Sequence, residues 1–515
     1  MSQMSTTQAG GGSVDSRIVA AAEAAFPPAN QSIVLGAVLQ NGVSYPEPLV
    51  TMPIAMTNRH GLIAGATGTG KTRTLQLIAE QLSKASVPVF LADFKGDLSG
   101  MAVQGQQDDR VAQRCQTTGY VWSATSCPVE FLSLTGNKGA QVRATISSFG
   151  PILLSKVLGL NDTQSSVLSL VFQYCDDKQL PLLDMSDLRA VLQYLTGEGA
   201  ADLVNYGGMS KSTVGVLLRD LVQLEQQGAQ AFFGEPEFDL NDLLQTRNGM
   251  GVVSILELPD VQDKPSLFST FMMWMLARLY HDLPEVGDLP KPKLVFFFDE
   301  AHFLFDGASQ RFLDEVQQVV RLIRSKGVGV FFITQNPTDI PPSVLGQLGN
   351  RVQHALRAFT ANDEAALKAA ARTFTRTDFY DIENTLTTLG TGEALVTVLT
   401  PNGVPTPSFA CRLVPPGSRM GSLTDQEMAQ CLSASVLIPK YSQAIDRQSA
   451  REMLAARMVP TNPSSAGAGT RVAYSARGAD KAQPDMFMQI LKSPVTRTVA
   501  GQVTRGLLGA LLGKK

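Results

Sequence analysis

Gly61-Leu62-Ile63-Ala64-Gly65-Ala66-Thr67-Gly68-Thr69-Gly70-Lys71-Thr72 runs a short apolar segment into G-x-x-x-x-G-K-T, and Leu75-Gln76-Leu77-Ile78-Ala79-Glu80 follows with helical character. Strand, glycine-rich turn and helix in that order make a phosphate-binding loop. Closely spaced glycines let backbone N–H groups curl around a β-phosphate at a helix N-terminus. Lys71 supplies a mobile cation for the β- and γ-phosphates, and the Thr72 hydroxyl can hold Mg²⁺. Gly65, Ala66, Thr67, Gly68, Thr69, Gly70, Lys71 and Thr72 are therefore read as a nucleoside triphosphate site. The flanking strand and helix set the pattern apart from a chance glycine-rich loop.

Such a loop needs a carboxylate for the metal and a base for the attacking water. Both stand at the end of the most apolar run, Leu294-Val295-Phe296-Phe297-Phe298-Asp299-Glu300-Ala301-His302. Buried phenylalanines make a rigid strand that projects Asp299 toward Mg²⁺, and Glu300, one residue later, polarises water against the γ-phosphate. His302 reads either as a relay toward substrate or as a plain packed histidine. The next run, Val328-Gly329-Val330-Phe331-Phe332-Ile333-Thr334-Gln335, ends in an amide able to sense the γ-phosphate, so Gln335 is the candidate sensor. Transition-state charge calls for a further cation. Arg351, Arg357 and Arg324 are candidates, in cis or from a neighbouring subunit, and each has a structural ion pair as its alternative. In Asp93-Phe94-Lys95-Gly96-Asp97, Asp93 reads equally as a tuner of the metal site or a strand-to-helix cap, and Lys95 is placed to face substrate.

Short, nearly continuous apolar runs are the mark of strands buried on both faces. They occur at 62–64, 87–92, 251–256, 294–298, 328–333 and 394–399, which predicts an α/β fold with a central, mostly parallel sheet. The expected organisation is a β-rich lead-in over 1–55 that covers a sheet edge, with a turn at Asn41-Gly42, then core at 56–104. A mainly helical insertion follows over 105–250, with helical periodicity over 141–149, 165–174, 187–194 and 212–227, and the rest of the core over 251–420. Beyond it come a helical segment at 421–460, a linker rich in small and polar residues at 461–484, and a tail at 485–515.

The 515 residues are 44% hydrophobic, ample for a core. Lys+Arg 43 against Asp+Glu 46 leaves a net charge of -3, which neither proves nor refutes a DNA partner, since a basic channel would be hidden in the sum. Five scattered cysteines and four histidines show no ligand spacing, the pattern of a reduced, zinc-free cytoplasmic protein. No run reaches the roughly twenty apolar residues needed to span a bilayer.

Together, Gly65 to Thr72, Asp93 to Asp97, Phe298 to His302 and Ile333-Thr334-Gln335-Asn336-Pro337 resemble the HerA/FtsK superfamily of ATPases, and more closely its bacterial HerA-like DUF853 (YjgR) group. The resemblance covers about residues 30 to 420 and includes Leu35-Gly36 and Gly390-Thr391-Gly392-Glu393-Ala394-Leu395. It implies a RecA-like core that assembles into homo-oligomeric, commonly hexameric rings and fires ATP with Mg²⁺ at subunit interfaces. It also implies archaeal relatives that translocate on double-stranded DNA beside a nuclease. By that pattern Lys71 and Thr72 are phosphate and Mg²⁺ ligands, Asp299 the Walker B carboxylate, Glu300 the catalytic glutamate and Gln335 the sensor. The region before Gly65 is too short for the barrel domain of archaeal HerA, and no winged-helix DNA reader is evident. The expected function is a Mg-dependent ATPase acting as a DNA translocase or helicase-like motor, and the alternative is an ATPase acting on a protein or secretion-like partner.

Overall fold

The computed structural model describes residues 16–28, 31–305, 310–375, 377–443, 445 and 447–458; the expected linker and tail lie outside the described residues. The strands, in chain order, are β1 (Ser32–Gln40), β2 (Val43–Pro53), β3 (Gly61–Ala64), β4 (Val89–Asp93), β5 (Val129–Ser133), β6 (Ala140–Gln141), β7 (Thr246–Arg247), β8 (Met250–Gly251), β9 (Val253–Glu257), β10 (Leu294–Phe298), β11 (Val328–Thr334), β12 (Asn350–His354), β13 (Glu393–Thr397) and β14 (Phe409–Leu413). Twelve of them form one sheet in the order β2-β1-β14-β13-β12-β3-β11-β10-β4-β9-β5-β6. From β12 to β6 every pairing is parallel. From β12 out to β2 every pairing is antiparallel.

The parallel strands alternate side chains between two buried faces, as period-two geometry requires. Phe90, Phe296, Phe298 and Phe332 point into one core with the helix Pro265–Asp282 and the helices Ile146–Val157, Asp162–Asp177, Met185–Thr196 and Lys211–Gln226. Leu91, Phe297, Phe331 and Ile333 point into the other, where the helix Lys71–Lys84 lays Leu75, Ile78, Ala79 and Leu82 against them. Ring pairs tie neighbouring strands across both faces, Phe90–Phe296 at 4.9 Å and Phe297–Phe331 at 5.0 Å between centroids. The strands carrying the site are thus a stiff block.

Three sequence expectations change here. The segment 105–250, expected to be mainly helical, also holds β5 and β6, which extend the central sheet, β5 pairing with β9 over Val129 to Ser133. The helix expected over 141–149 starts at Ile146, since Ala140 and Gln141 pair with Leu132 and Ser133 as strand. The lead-in does not cover a sheet edge but forms it, with β2 outermost. Its turn is as expected: Asn41 and Gly42 take φ of 51° and 80°, the two positive values a tight two-residue hairpin demands.

Candidate functional site

The ends of β3, β4, β10 and β11 meet at one rim of the sheet, and the parallel register aligns them: Ala64 pairs with Thr334, Phe298 with Phe332, and Phe298 with Ala92. This is where a parallel α/β sheet gathers ligand groups. The loop leaving β3 is held from both sides, Gly65 N donating to Thr334 O at 3.3 Å and Ala66 N to Ala355 O at 2.8 Å. A side chain at Gly65 would collide with His354, its added carbon lying 2.5 Å from His354 Cβ, and the residue's φ of 150° is a glycine conformation. Gly70 (φ 115°) turns the chain into the helix, and Thr74 N donates to Gly70 O at 3.0 Å to close its first turn. The amides of Lys71, Thr72 and Arg73 precede that bond and face the loop's hollow, as helix-initial donors do.

Lys71 Nζ donates to the carbonyls of Gly65 at 2.7 Å and Ala66 at 3.2 Å, inside its own loop. Burial lowers its pKa, Glu300 raises it, and the ammonium of Lys95 lowers it again, so all three charges bear on one hollow. Lys95 Nζ in turn contacts Glu300 Oε1 at 2.5 Å. Burial works against the Lys95 ammonium, but the hydrogen bond to Glu300 and the charges of Asp299 and Glu300 outweigh it and hold its pKa above the ordinary value. Glu300 is buried and has φ of 48°, a left-handed backbone unusual for a residue with a side chain. Its N–H donates to Asp299 Oδ1 at 3.0 Å, and Oε2 lies 3.4 Å from His302 Nδ1.

Asp299 is buried, and its Oδ2 has no hydrogen-bond partner. Burial first, then the Glu300 and Asp93 carboxylates, push Asp299 up to about 7 against the opposing pull of Lys95. A lone buried carboxylate oxygen at this rim, with the Thr72 hydroxyl in the first turn of the loop helix, fits the oxygen donor set of Mg²⁺.

Asp93 caps its loop, and its charge also bears on Asp299. The Asp93 carboxylate accepts from Lys95 N at 3.1 Å, Gly96 N at 2.7 Å and Leu98 N at 2.8 Å, so it caps the loop that presents Lys95. Gln335 is exposed at the end of β11, one residue past the carbonyl that holds Gly65. The arginines divide. Arg351 sits near the start of β12, paired with Leu62, and its donors go to the carbonyls of Leu348, Thr373 and Leu345 at 3.0 to 3.2 Å. The fold therefore does not bring Arg351 to the phosphate loop. Arg357, exposed beyond the other end of β12, donates to Thr387 O at 2.7 Å and Leu389 O at 3.4 Å. Arg324 lies beside Asp288 at 3.5 Å.

Several residues that support the loop were given no role from the sequence. His354 underlies the loop, its Nε2 2.9 Å from Thr74 Oγ1, and burial followed by the Lys71 charge lowers its pKa to about 4. Gly392 N donates to Thr69 O at 2.9 Å, and Arg114 donates to the carbonyls of Gly392 and Thr391 at 3.2 and 3.0 Å. Beside Gly70, a cavity of about 250 Å³ is lined by Arg73, Val111, Leu413, Pro415, Pro416 and Met420 among others. Its far wall is fastened to the loop helix by Glu80, whose carboxylate accepts from Gly417 N at 2.8 Å and Ser418 N at 2.9 Å, and by Gln76, which donates to Ser418 Oγ at 2.8 Å. Glu80 and Gln76 stand four apart on one helical face, which spacing alone could have flagged but not paired.

A phosphate loop on the strand next but one to the Walker B strand, with an Asp-Glu pair at that strand's end, defines a P-loop ATPase core of RecA-like fold. The model for the helicase HerA-like C-terminal family matches residues 40–515, and the chain belongs to that family, within the HerA/FtsK superfamily. Among solved structures, plasmid coupling protein TrwB in complex with a non-hydrolysable ATP analogue is similar at a TM-score of 0.50 and 15% identity, over 77% of this chain and 99% of that one. VirB4 of Thermoanaerobacter pseudethanolicus is similar at 0.47 and 16%, over 78% of this chain and 99% of that one. No curated protein matches the chain. Among the described residues no helix is long and apolar enough to cross a membrane.

Proposed function

We propose that the chain is a Mg-dependent ATP hydrolase that works as an oligomeric motor on double-stranded DNA. The observation that carries the hydrolytic part is the meeting of Lys71, Lys95, Asp299 and Glu300 around one hollow at the sheet rim. The DNA part rests on membership of a helicase-like family.

In this reading the amides of 68–72 and the Lys71 ammonium bind the β- and γ-phosphates, Lys71 leaving the carbonyls of Gly65 and Ala66. The cavity beside Gly70 takes the base against Pro415, Pro416 and Met420, with Arg73 and Arg114 at its mouth. Thr72 and Asp299 would hold Mg²⁺, which when bound neutralises charge shared by the β- and γ-phosphates. Glu300 accepts a proton from water as the water oxygen bonds to the γ-phosphorus. The bond from that phosphorus to the bridging oxygen breaks, and ADP leaves with the electron pair. Gln335 orients the water and the γ-phosphate. Arg357, exposed on the loop side of β12, is the best placed of the three candidate arginines to add a cation, and an exposed position suits action on a neighbouring subunit's nucleotide.

The test is steady-state ATPase with and without double-stranded DNA at low and moderate salt. The proposal expects stimulation of at least several-fold that weakens as salt rises, because phosphate contacts are lost by counterion competition. Hydrolysis indifferent to DNA would overturn the DNA reading and favour a protein substrate.

A further inference from the structure

Deepening the proposed ATPase reading and resting on it, we propose that Lys95 is a γ-phosphate-sensing latch: without nucleotide it holds Glu300 parked, and a triphosphate draws it away and frees the glutamate for water. Four observations converge on this residue. Lys95 is bonded to the buried Glu300, 2.5 Å away, although its own side chain is 45% exposed. The backbone beneath it is fixed, since Asp93 accepts from the amides of residues 95, 96 and 98. That loop is also anchored beyond Lys95, Ser422 Oγ donating to Gly96 O at 2.7 Å and Gly100 N to Gly421 O at 3.0 Å. Motion is thereby confined to the Lys95 side chain and its partner.

The partner is poised to respond. Glu300 is held at φ 48° with one carboxylate oxygen on Lys95, while Oε2 makes no hydrogen bond. With Lys95 Nζ seated on Oε1, that oxygen is occupied by an ammonium and cannot take up a water. The position of Lys95 also couples it to the nucleotide: its charge bears on Lys71 and on Asp299, the two groups assigned to the phosphates and to Mg²⁺. A γ-phosphate entering that hollow offers more negative charge than one carboxylate, and a flexible ammonium moves toward it. ADP, lacking the γ-phosphate, leaves the latch closed. Lys95 is on this account a positioning residue for Glu300 as well as a contact to the triphosphate.

The full chain with Lys95→Met and Lys95→Arg is compared with wild type in ATP turnover, and in equilibrium binding of ADP and of a slowly hydrolysed ATP analogue. Because Lys95 leaves Glu300 in order to contact the γ-phosphate in the reacting complex, Lys95→Met should lower kcat at least tenfold, bind ADP within twofold of wild type, and lose at least fivefold in preference for the triphosphate analogue over ADP. Lys95→Arg keeps the positive charge and should recover at least a third of wild-type turnover. Unchanged or raised kcat in Lys95→Met, or equal loss of affinity for ADP and analogue, overturns the latch. Absence of hydrolysis in wild type overturns the ATPase reading instead, and the binding comparison still decides whether Lys95 senses the γ-phosphate.

Discussion

His354 and His60 show how single buried residues set the site's limits. His354 lies beneath the phosphate loop, and His60 accepts from Val330 N at 3.1 Å behind β11; burial lowers each to a pKa of about 4. An unfolded histidine titrates near 6.5. Between those values the unfolded chain binds protons the native chain refuses, so stability is full above about pH 6.5 and falls as pH drops toward 4. By pH 5 the loss is about 2 kcal/mol for each histidine. His60 has φ of 60°, which asparagine tolerates. Between pH 7 and pH 5, His60→Asn should lose about 2 kcal/mol less stability than wild type in denaturant unfolding, the raised Asp299 carboxyl acting alike in both proteins. Equal losses in the two proteins would refute the assignment. Sequence gave no access to these two residues, because an isolated histidine looks the same whether it is buried or not, whereas Lys71, Asp299 and Glu300 were legible from motifs that demand those chemistries at that spacing.

At the level of elements, the stretch after β14 acts as a clip on the loop helix. Glu80 is buried and accepts from Gly417 N, Ser418 N and Ser418 Oγ, and Gln76 reaches Ser418 and the Arg419 carbonyl. Orphaning those donors costs about 1–3 kcal/mol for each buried group left unpaired. Glu80→Ala should therefore destabilise the chain by about 3 kcal/mol in denaturant unfolding. It should also raise the KM for ATP several-fold, since Pro415, Pro416 and Met420 line the cavity the clip holds in place. A destabilised variant with unchanged KM would separate the clip from the nucleotide. The strands at 62–64, 294–298 and 328–333 were readable because burial on both faces leaves unbroken apolar runs. β12 was not, since Asn350, Arg351, Gln353 and His354 break that run, and Asn350 finds its partners far away in sequence, Nδ2 donating to Met56 O and His60 O. β5 escaped notice for a similar reason: Glu130 is buried inside it and paired with Arg247 at 2.5 Å.

For the whole molecule, the sheet is built so that the parallel block positions chemistry and the antiparallel end completes the support of the loop. β13 and the turn before it bring Gly392 to Thr69, although Gly392 lies more than three hundred residues along the chain from the loop. Contacts of that separation leave no local signal, which is why the α/β class and the Walker residues could be read in advance while the loop's supports could not. The helices over 146–226 pack on the opposite face from the loop helix. The central claim is that this rim hydrolyses ATP with Glu300 as the base, and it is tested most directly by ATP binding and turnover in wild type and Glu300→Gln. The account predicts ATP affinity within a few-fold of wild type and turnover at least a hundredfold lower, about 2.7 kcal/mol in barrier. Turnover near wild type in Glu300→Gln would contradict it.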